Sequence, residues 1–304
     1  MTAKPSTADW LSILLLGLIW GGTFAVVRVA LDGYGPVTVA CARTTLGAVA
    51  MLALMWAMGR RVPRLPGRLM GYLVAIGALS TALPFLLLAW GQQYVPSAFA
   101  GISMAALPLF VLLLAALFSD ELLNWRSAAG VSVGFLGALI LIGPGVLVPG
   151  AGLSAWGQIA CLAAAFSYAV ASILTRRCPP LDGVVLTALS LAVGAVILMP
   201  VMLLTEGVPG WTGAVPGAAL LFLGLLPTAL AALIRVTVIR SAGSVFMTLV
   251  NYQVPVWSMA IGALALDEAL PWRFFVALAL ILAGLGLSQG RNLRALFARA
   301  APAG

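Results

Sequence analysis

Ten apolar segments run through this chain of 304 residues, and each is long enough to cross a membrane. A spanning helix needs about 20 mainly apolar residues to cross roughly 30 Å of hydrocarbon. Together the segments occupy most of the sequence and leave no room for a sizeable soluble domain. The pattern predicts an all-α integral membrane protein with ten transmembrane helices. The predicted spans are Trp10–Leu31, Pro36–Met58, Leu69–Gln93, Ser97–Phe118, Trp125–Leu147, Leu153–Thr175, Leu181–Leu204, Ala214–Val238, Ser244–Leu266 and Trp272–Gln289.

The composition indicates the same class. Of all residues, 63% are apolar and 8% are charged, with a mean hydropathy of +1.14, whereas soluble domains are about 45–50% apolar and about 25% charged. The first segment is too long for the apolar region of a signal peptide, and it carries Arg28 near its end. The three cysteines, Cys41, Cys161 and Cys178, offer no disulfide framework.

The net charge of +8 is distributed as membrane topology requires. With the N-terminus inside, twelve lysine and arginine residues fall on the cytoplasmic side, while Arg273 is the one clear case on the other. Short cytoplasmic loops carry such an excess of positive residues. We therefore expect both termini in the cytoplasm, contact of the basic loops with membrane lipids, and no nucleic-acid partner.

A repeat is visible in the stretch DELLNWR, Asp120 to Arg126, which returns as DEALPWR, Asp267 to Arg273. The third span departs from this shift of 147, because its Leu-Pro pair recurs at a shift of 143, and we interpret the difference as an insertion of one helical turn. The sequence predicts repeats 1–147 and 148–290, followed by a basic cytoplasmic tail, 291–304. The shift of 147 also matches Ser97 with Ser244, Pro108 with Pro255, Trp125 with Trp272, and Gly137 with Gly284.

Because each repeat contains an odd number of helices, the second repeat must be inverted in the membrane. The loops agree, since GRRVPRLPGR in the first repeat corresponds to TEGVPGWTGA in the second. Inverted repeats around a central site are a recurring ground plan of secondary transporters. A duplicated channel or a structural bundle would show the same pattern.

Small and polar residues form one face of the ninth span. Ser244, Thr248, Asn251, Pro255 and Ser258 follow one another at spacings of four and three. Such a face can pack helices closely, which is our interpretation of Gly21, Gly101, Gly130 and Gly134. For Asn251 we favour a central cavity, because an amide facing lipid is costly.

Four prolines lie within predicted spans as two symmetry-related pairs, Pro84 with Pro227 and Pro108 with Pro255. A proline in a helix removes a hydrogen bond and kinks the helix. Matched kinks are either structural or hinges for alternating access.

The charged residues are informative by their positions. All eight acids lie in loops or near helix ends, and the chain has no histidine. A proton-coupled carrier usually keeps such a group at membrane depth, so we expect facilitated diffusion. Arg43 lies inside the second span, where an arginine costs about 2.5–3.5 kcal/mol on insertion scales. It either pairs with an acid or helix-end carbonyls, or it is the counter-charge for a substrate carboxylate.

Enzymatic sites are not indicated. Without histidine there is no H-E-x-x-H zinc site and no serine–histidine pair. No Walker A sequence is present. We expect no enzyme, metal or cofactor.

The two D-E-x-L-x-W-R stretches lie where the fourth helix of each repeat ends and the fifth begins. Acids at a helix start complement its dipole and cap its free N–H groups, and tryptophan suits the membrane interface. We expect a structural corner with the arginine within reach of the acids. A gating ion pair is the alternative.

The sequence also resembles a known family. LLGLIWGGTFAVVRVAL, then CARTTLGAVAML with Arg43, then twice a proline-centred helix closing on a Glu-x-L corner, resembles the ten-helix EamA-type branch of the drug/metabolite transporter superfamily. Within it the chain looks like the YddG-like bacterial exporters of aromatic amino acids. The resemblance implies an inner-membrane exporter with a cavity between the first, third, fourth, sixth, eighth and ninth helices. Proton-coupled small members carry a glutamate in the first helix, which this chain lacks.

These observations predict a monomeric inner-membrane transporter that exports amino acids, neutral and aromatic ones above all, or related metabolites, or lets them diffuse, by alternating access. A multidrug efflux transporter for lipophilic compounds is the alternative. Aromatic and hydroxyl side chains would line the cavity. The predicted substrate-binding residues are Trp20, Thr23, Phe24, Thr81, Trp90, Met104, Tyr168, Ser172, Thr228, Ser244, Thr248, Asn251 and Tyr252.

Overall fold

The structure is a computed structural model that describes residues 5–118, 125–143 and 152–300, and within these ranges the chain is helical without strands. Nine helices in this part of the chain are long and apolar enough to cross a membrane. The first, second, fifth, sixth and seventh are uninterrupted: α1 Thr7–Leu31, α2 Pro36–Ala57, α5 Trp125–Ile142, α6 Gly152–Arg177 and α7 Gly183–Thr205.

Three spanning helices change their winding near a proline. Helix α3, Gly67–Gly91, contains the π-helical segment Ala78–Ala82, and α8, Ala214–Ser241, contains the π-helical segment Leu225–Leu230. Helix α4 consists of Ser97–Ser103 and Leu107–Phe118, joined by a 3₁₀ turn. Pro84, Pro108 and Pro227 lie beside or within these segments, because a proline has no N–H for the regular ladder and its ring displaces the preceding turn.

The ninth predicted span, Ser244–Leu266, is interrupted. It forms a short helix α9, Ser244–Met247, and a longer helix α10, Val250–Leu266, before the last helix α11, Trp272–Ala300. Amides at the break bond to carbonyls three residues earlier, as from Asn251 to Thr248. Pro255 lies inside α10, one turn beyond this break.

The helices pack in pairs that link the first half of the chain to the second. Helix α2 packs on α7, α5 on α11, α1 on α8 and α10, and α6 on α3 and α4. Glycines make the closest approaches possible: a Cβ at Gly21 would overlap Trp257, and one at Gly130 would lie 2.5 Å from the Gly284 carbonyl oxygen. The expected packing role of these glycines is confirmed.

Two carboxylates of the second half cap the N-termini of helices in the first half. Glu268 accepts hydrogen bonds from the backbone N–H groups of Ser97 and Ala98, at 2.7 and 3.0 Å, at the start of α4. Glu206 does the same for Val37 and Thr38 at the start of α2, at 3.0 and 2.8 Å. Each carboxylate therefore complements the positive end of a helix from the other half.

The expectation that the acids of the corner cap the helix that follows them was wrong for Glu268. Glu268 caps α4, which is distant in sequence, rather than the helix that follows it, and Arg273 forms no ion pair within the described residues. Trp125 and Trp272 are both 75% exposed, as expected at an interface. Asp120 and Glu121 of the first copy lie outside the described residues.

The opposite ends of the helices carry a separate charge cluster. Asp182 caps α7 by accepting hydrogen bonds from Val184 and Val185, and it forms ion pairs with Arg60 and Arg240. Partial burial raises the pKa of the Asp182 carboxyl, but the hydrogen bonds from Arg60, from both amides and from Arg240 outweigh it, so the pKa lies below its usual value.

Candidate functional site

A buried arginine lies where α2, α3 and α8 meet. Arg43 is 7% exposed, and its Nε donates a hydrogen bond to the Thr228 Oγ1 at 3.0 Å. Its guanidinium carbon lies 3.8 Å from the centre of the Phe85 ring, which is a favourable position for a cation over an aromatic face. Among the described residues, no carboxylate lies within 4 Å of Arg43.

The π-helical segment of α8 builds one wall of this site. Thr228 donates its hydroxyl to the Leu223 carbonyl oxygen five residues earlier, at 2.7 Å. The indole Nε1 of Trp20 donates to the Pro227 carbonyl oxygen at 3.1 Å. A π segment shifts the backbone ladder and leaves carbonyls for other donors, so α8 can bind side chains of α1 and α2 at neighbouring residues.

The π-helical segment of α3 receives similar bonds from the second half. Ser167 on α6 donates to the Leu79 carbonyl oxygen at 2.7 Å. Thr81 donates to the Gly77 carbonyl oxygen at 2.6 Å and lies 3.4 Å from the Ser190 carbonyl oxygen on α7. The hydrogen bonds that cross the centre thus run in both directions between the halves.

Residues separated by 147 positions stand in corresponding places around this centre. Trp20 corresponds to Ser167, and Arg43 corresponds to Ser190, by the shift that relates the repeats. Trp20 and Ser167 each donate to a π-helical segment of the opposite half. The framework is therefore repeated, while the side chains placed on it differ.

Tyr168 lies between the two largest apolar clusters and packs against both. Its phenol is close enough to Arg43 for an electrostatic interaction. Met104, at the 3₁₀ turn of α4, is half-buried and packs on the cluster that includes Phe24. Of the predicted cavity residues, Thr228 contacts Arg43, Tyr168 lies near it, and Trp20 bonds to Pro227, the residue before Thr228.

Other predicted residues lie elsewhere along the helices. Thr23 is buried and bonds to the Ile19 carbonyl oxygen of its own helix at 2.9 Å. Trp90 stacks edge-on against Tyr94, with ring centres 5.1 Å apart, near the end of α3. Ser172 is half-buried on α6.

The residues predicted on the ninth span lie at and after its break. Thr248 is half-buried at the break itself, and Asn251 and Tyr252 are half-buried in the first turn of α10. The Tyr252 hydroxyl is buried and has no hydrogen-bond partner within the described chain. The side chain of Ser244 lies outside what the structure describes.

Phe85 is the site residue that the sequence interpretation missed. It lies one helical turn after Thr81 on the same face of α3, so the spacing of four residues was the available signal. Phenylalanine is common in spanning helices, and its contact with a cation depends on how two distant helices pack.

Comparison with known proteins identifies the family. The model of the EamA-like transporter family matches residues 9–143 and again residues 155–289. The chain belongs to the EamA-like transporter family. Its two matches correspond to two repeats of one family domain, as the duplication in the sequence indicated.

Several curated proteins are similar over nearly their whole length. A protein of Streptantibioticus cattleyicolor named "Probable terminal-alkyne amino-acid exporter" is 30% identical over 95% of this chain and 96% of its own. The transporter YoaV of Bacillus subtilis is 25% identical over 90% of this chain and 94% of its own. The inner membrane transporter YedA of Escherichia coli is 26% identical over 83% of this chain and 80% of its own.

A crystal structure shares the fold with a TM-score of 0.66, at 21% identity, over 94% of this chain and 99% of that one. Together with the nine apolar spanning helices in the described part of the chain, the family match makes this EamA protein a multi-pass inner-membrane transporter.

Proposed function

We propose that this EamA transporter carries amino acids, neutral and aromatic ones among them, across the inner membrane by alternating access of two inverted five-helix repeats. The observation that carries the proposal is the set of hydrogen bonds that cross the centre between the halves. Trp20 and Arg43 of the first half bond to α8, while Ser167 of the second half bonds to α3. A substrate between these helices would touch both repeats and respond to their relative movement.

The helix ends support the inverted arrangement. If successive spans alternate in direction, the end of α2, the start of α7 and the end of α8 fall on one side, and there Asp182 joins Arg60 to Arg240. The start of α4 falls on the opposite side together with the end of α10, where Glu268 lies. The repeats would then begin at opposite faces, with both termini on one side.

The substrate class is supported by the site and by one relative. Indole, phenol and phenyl rings beside hydroxyl groups suit small molecules with an apolar body and a few polar groups. The relative with 30% identity is named an amino-acid exporter.

Transport without proton coupling is part of the proposal. The described acids each lie at a helix end or in a loop, and the carboxylates of four of them, Asp9, Asp182, Glu206 and Glu268, accept hydrogen bonds there. No histidine is present in the sequence. A carboxylate at membrane depth would be the usual proton carrier.

The test is uptake of labelled L-phenylalanine into proteoliposomes that contain only the purified protein, with and without an imposed pH gradient. We expect saturable uptake that is indifferent to the gradient and absent from empty liposomes. Uptake that collapses without the gradient would refute facilitated diffusion. Lack of uptake for phenylalanine and for a panel of other amino acids would refute the substrate class and favour drug efflux.

A further inference from the structure

Arg43 is a buried cation without a counter-ion in the described chain. Only 7% of Arg43 is exposed, yet it forms no ion pair within the described chain. Both ion pairs among the described residues belong to Asp182, at a helix end. The contacts it does make are neutral: the Thr228 hydroxyl and the Phe85 ring. A buried charge in a membrane protein is normally paired or functional.

The second repeat shows that the fold does not require this charge. The position equivalent to Arg43 is Ser190, on the helix α7 that packs against α2. Both lie beside the π-helical segment of the opposite half, through Thr228 for Arg43 and through Thr81 for Ser190. Because a serine occupies the corresponding position, packing alone does not explain why an arginine is buried at position 43.

The geometry leaves the binding edge of the arginine free. Guanidinium carries five N–H donors, one on Nε and four on the two Nη atoms. Thr228 takes the Nε donor, and Phe85 covers the face of the group. Neither Nη atom is bonded or fully enclosed within the described chain. Two parallel N–H groups of this kind match the two oxygens of a carboxylate.

We propose that Arg43 is the carboxylate-binding residue of the transport site, so that a transported molecule must carry a carboxylate group. Thr228 and Phe85 fix the orientation of the guanidinium, and the ring of an aromatic substrate lies toward Tyr168 and Trp20. This inference rests on the proposed function and deepens it. An uncompensated cation at the site also repels lipophilic cations.

The test compares ligands that differ in this one group. Uptake of labelled L-phenylalanine into proteoliposomes is measured against increasing concentrations of 3-phenylpropionate and of its carboxamide, 3-phenylpropanamide. For the unmodified protein we expect the inhibition constant of the carboxylate to be lower than that of the carboxamide by roughly tenfold or more. This is the difference that the loss of a charged hydrogen-bond pair implies.

Three variants complete the experiment. Arg43→Gln removes the charge and should bring the two inhibition constants to within about twofold of each other, with uptake reduced by roughly tenfold or more. Arg43→Lys keeps the charge but lacks the planar fork, and should fall between. Ser190→Ala is the matched control at the equivalent position and should keep the preference for the carboxylate. Gel filtration and a melting curve in detergent verify that each variant is folded.

The outcomes are distinguishable. If phenylalanine is transported but the carboxamide competes as well as the carboxylate, the role of Arg43 is refuted and the proposed function stands. Retention of the preference in folded Arg43→Gln refutes the role in the same way. If Arg43→Gln does not fold, the ligand comparison on the unmodified protein and on Arg43→Lys still decides. Absence of transport for every amino acid refutes both proposals together.

Discussion

Thr81 and Thr228 are 147 residues apart in the sequence and occupy reciprocal positions in the structure. Thr228 packs against Gly47 so closely that a Cβ at this glycine would lie 2.5 Å from the threonine methyl group, and Thr81 packs closely against Gly194 through its hydroxyl oxygen. The two glycines are themselves 147 residues apart. Each repeat therefore supplies a glycine for the other repeat's threonine.

This reciprocity corrects the expected insertion in the third helix of the repeat. The Leu-Pro pairs differ by 143 residues, but the threonines that occupy equivalent places differ by 147, so the register is kept. Pro84 follows its π-helical segment, whereas Pro227 lies inside the other. A proline is compatible with several places near such a segment, so its sequence position is a poor marker of equivalence.

Gly47→Ala should destabilise the protein, because the added methyl group overlaps Thr228 in a tightly packed interface. We expect a loss of about 1–3 kcal/mol, as is usual for overpacking. The measurement is the free energy of unfolding from a denaturant titration in detergent. Gly71→Ala is the control, because a Cβ there has no neighbour within 4 Å; it should be neutral or stabilising by up to about 1 kcal/mol. Equal losses in both variants would contradict the packing argument.

Glu268→Gln should weaken the connection between the end of α10 and the start of α4. The amide keeps one acceptor but loses the charge that complements the helix dipole, so we expect a loss of about 0.5–2 kcal/mol. The melting temperature in detergent, at low and high salt, measures it. Asp267→Asn is the control, because it removes the neighbouring charge while asparagine tolerates the left-handed backbone at φ 50°. A similar loss in the control would mean that overall charge, not capping, is responsible.

The parts of the fold that sequence could predict are those decided by local chemistry. Apolar length defines the spans, and the repeated residues define the duplication, because both signals depend on residues close together in sequence. The cap of α4 by Glu268 could not be predicted in this way, since it joins residues 171 positions apart. The break before α10 was also missed, because the apolar run 244–266 continues through it without a glycine or proline at the break itself.

The assignment of Trp20, Tyr168 and Thr228 to a substrate cavity stays a prediction. In the structure Trp20 bonds to Pro227 and Thr228 accepts from Arg43, both across the two halves, whereas Thr23 donates its hydroxyl to its own helix. Hydroxyl groups in spanning helices can bond within the helix or across it, and the sequence does not distinguish the two. The sequence left open whether Arg43 is satisfied within the protein or serves as the counter-charge for a substrate carboxylate. The structure excludes an ion pair between Arg43 and any described acid.

Acid should loosen the cluster around Asp182. Its pKa is below the ordinary value of 3.8, so its ionised, hydrogen-bonded state contributes stability that is fully present above that value. The contribution is lost as the pH falls below 3.8 through the lower pKa of the folded protein. We expect the melting temperature to fall in this range for the unmodified protein and to fall less for Asp182→Asn, which lacks the titrating group. An identical decline in both would assign the acid sensitivity to other carboxylates. Asp32→Asn is a control, because Asp32 lies at the C-terminal end of α1 and forms no ion pair within the described residues.

Asn251→Ala should weaken transport while membrane insertion and folding stay intact. Asn251 lies in the first turn of α10, directly after the break, and its side chain is half-buried. Pro255, four residues later, has no N–H to donate to the Asn251 backbone carbonyl. The side-chain amide oxygen and this carbonyl oxygen would together be acceptors for a substrate's ammonium group. Loss of one such hydrogen bond corresponds to roughly twofold to tenfold in the Michaelis constant for phenylalanine uptake. Trp257→Phe, on the same helix two turns away, is the control and should leave that constant unchanged. Unaltered uptake kinetics in Asn251→Ala would remove this residue from the site and leave the carboxylate end, at Arg43, as its defined part.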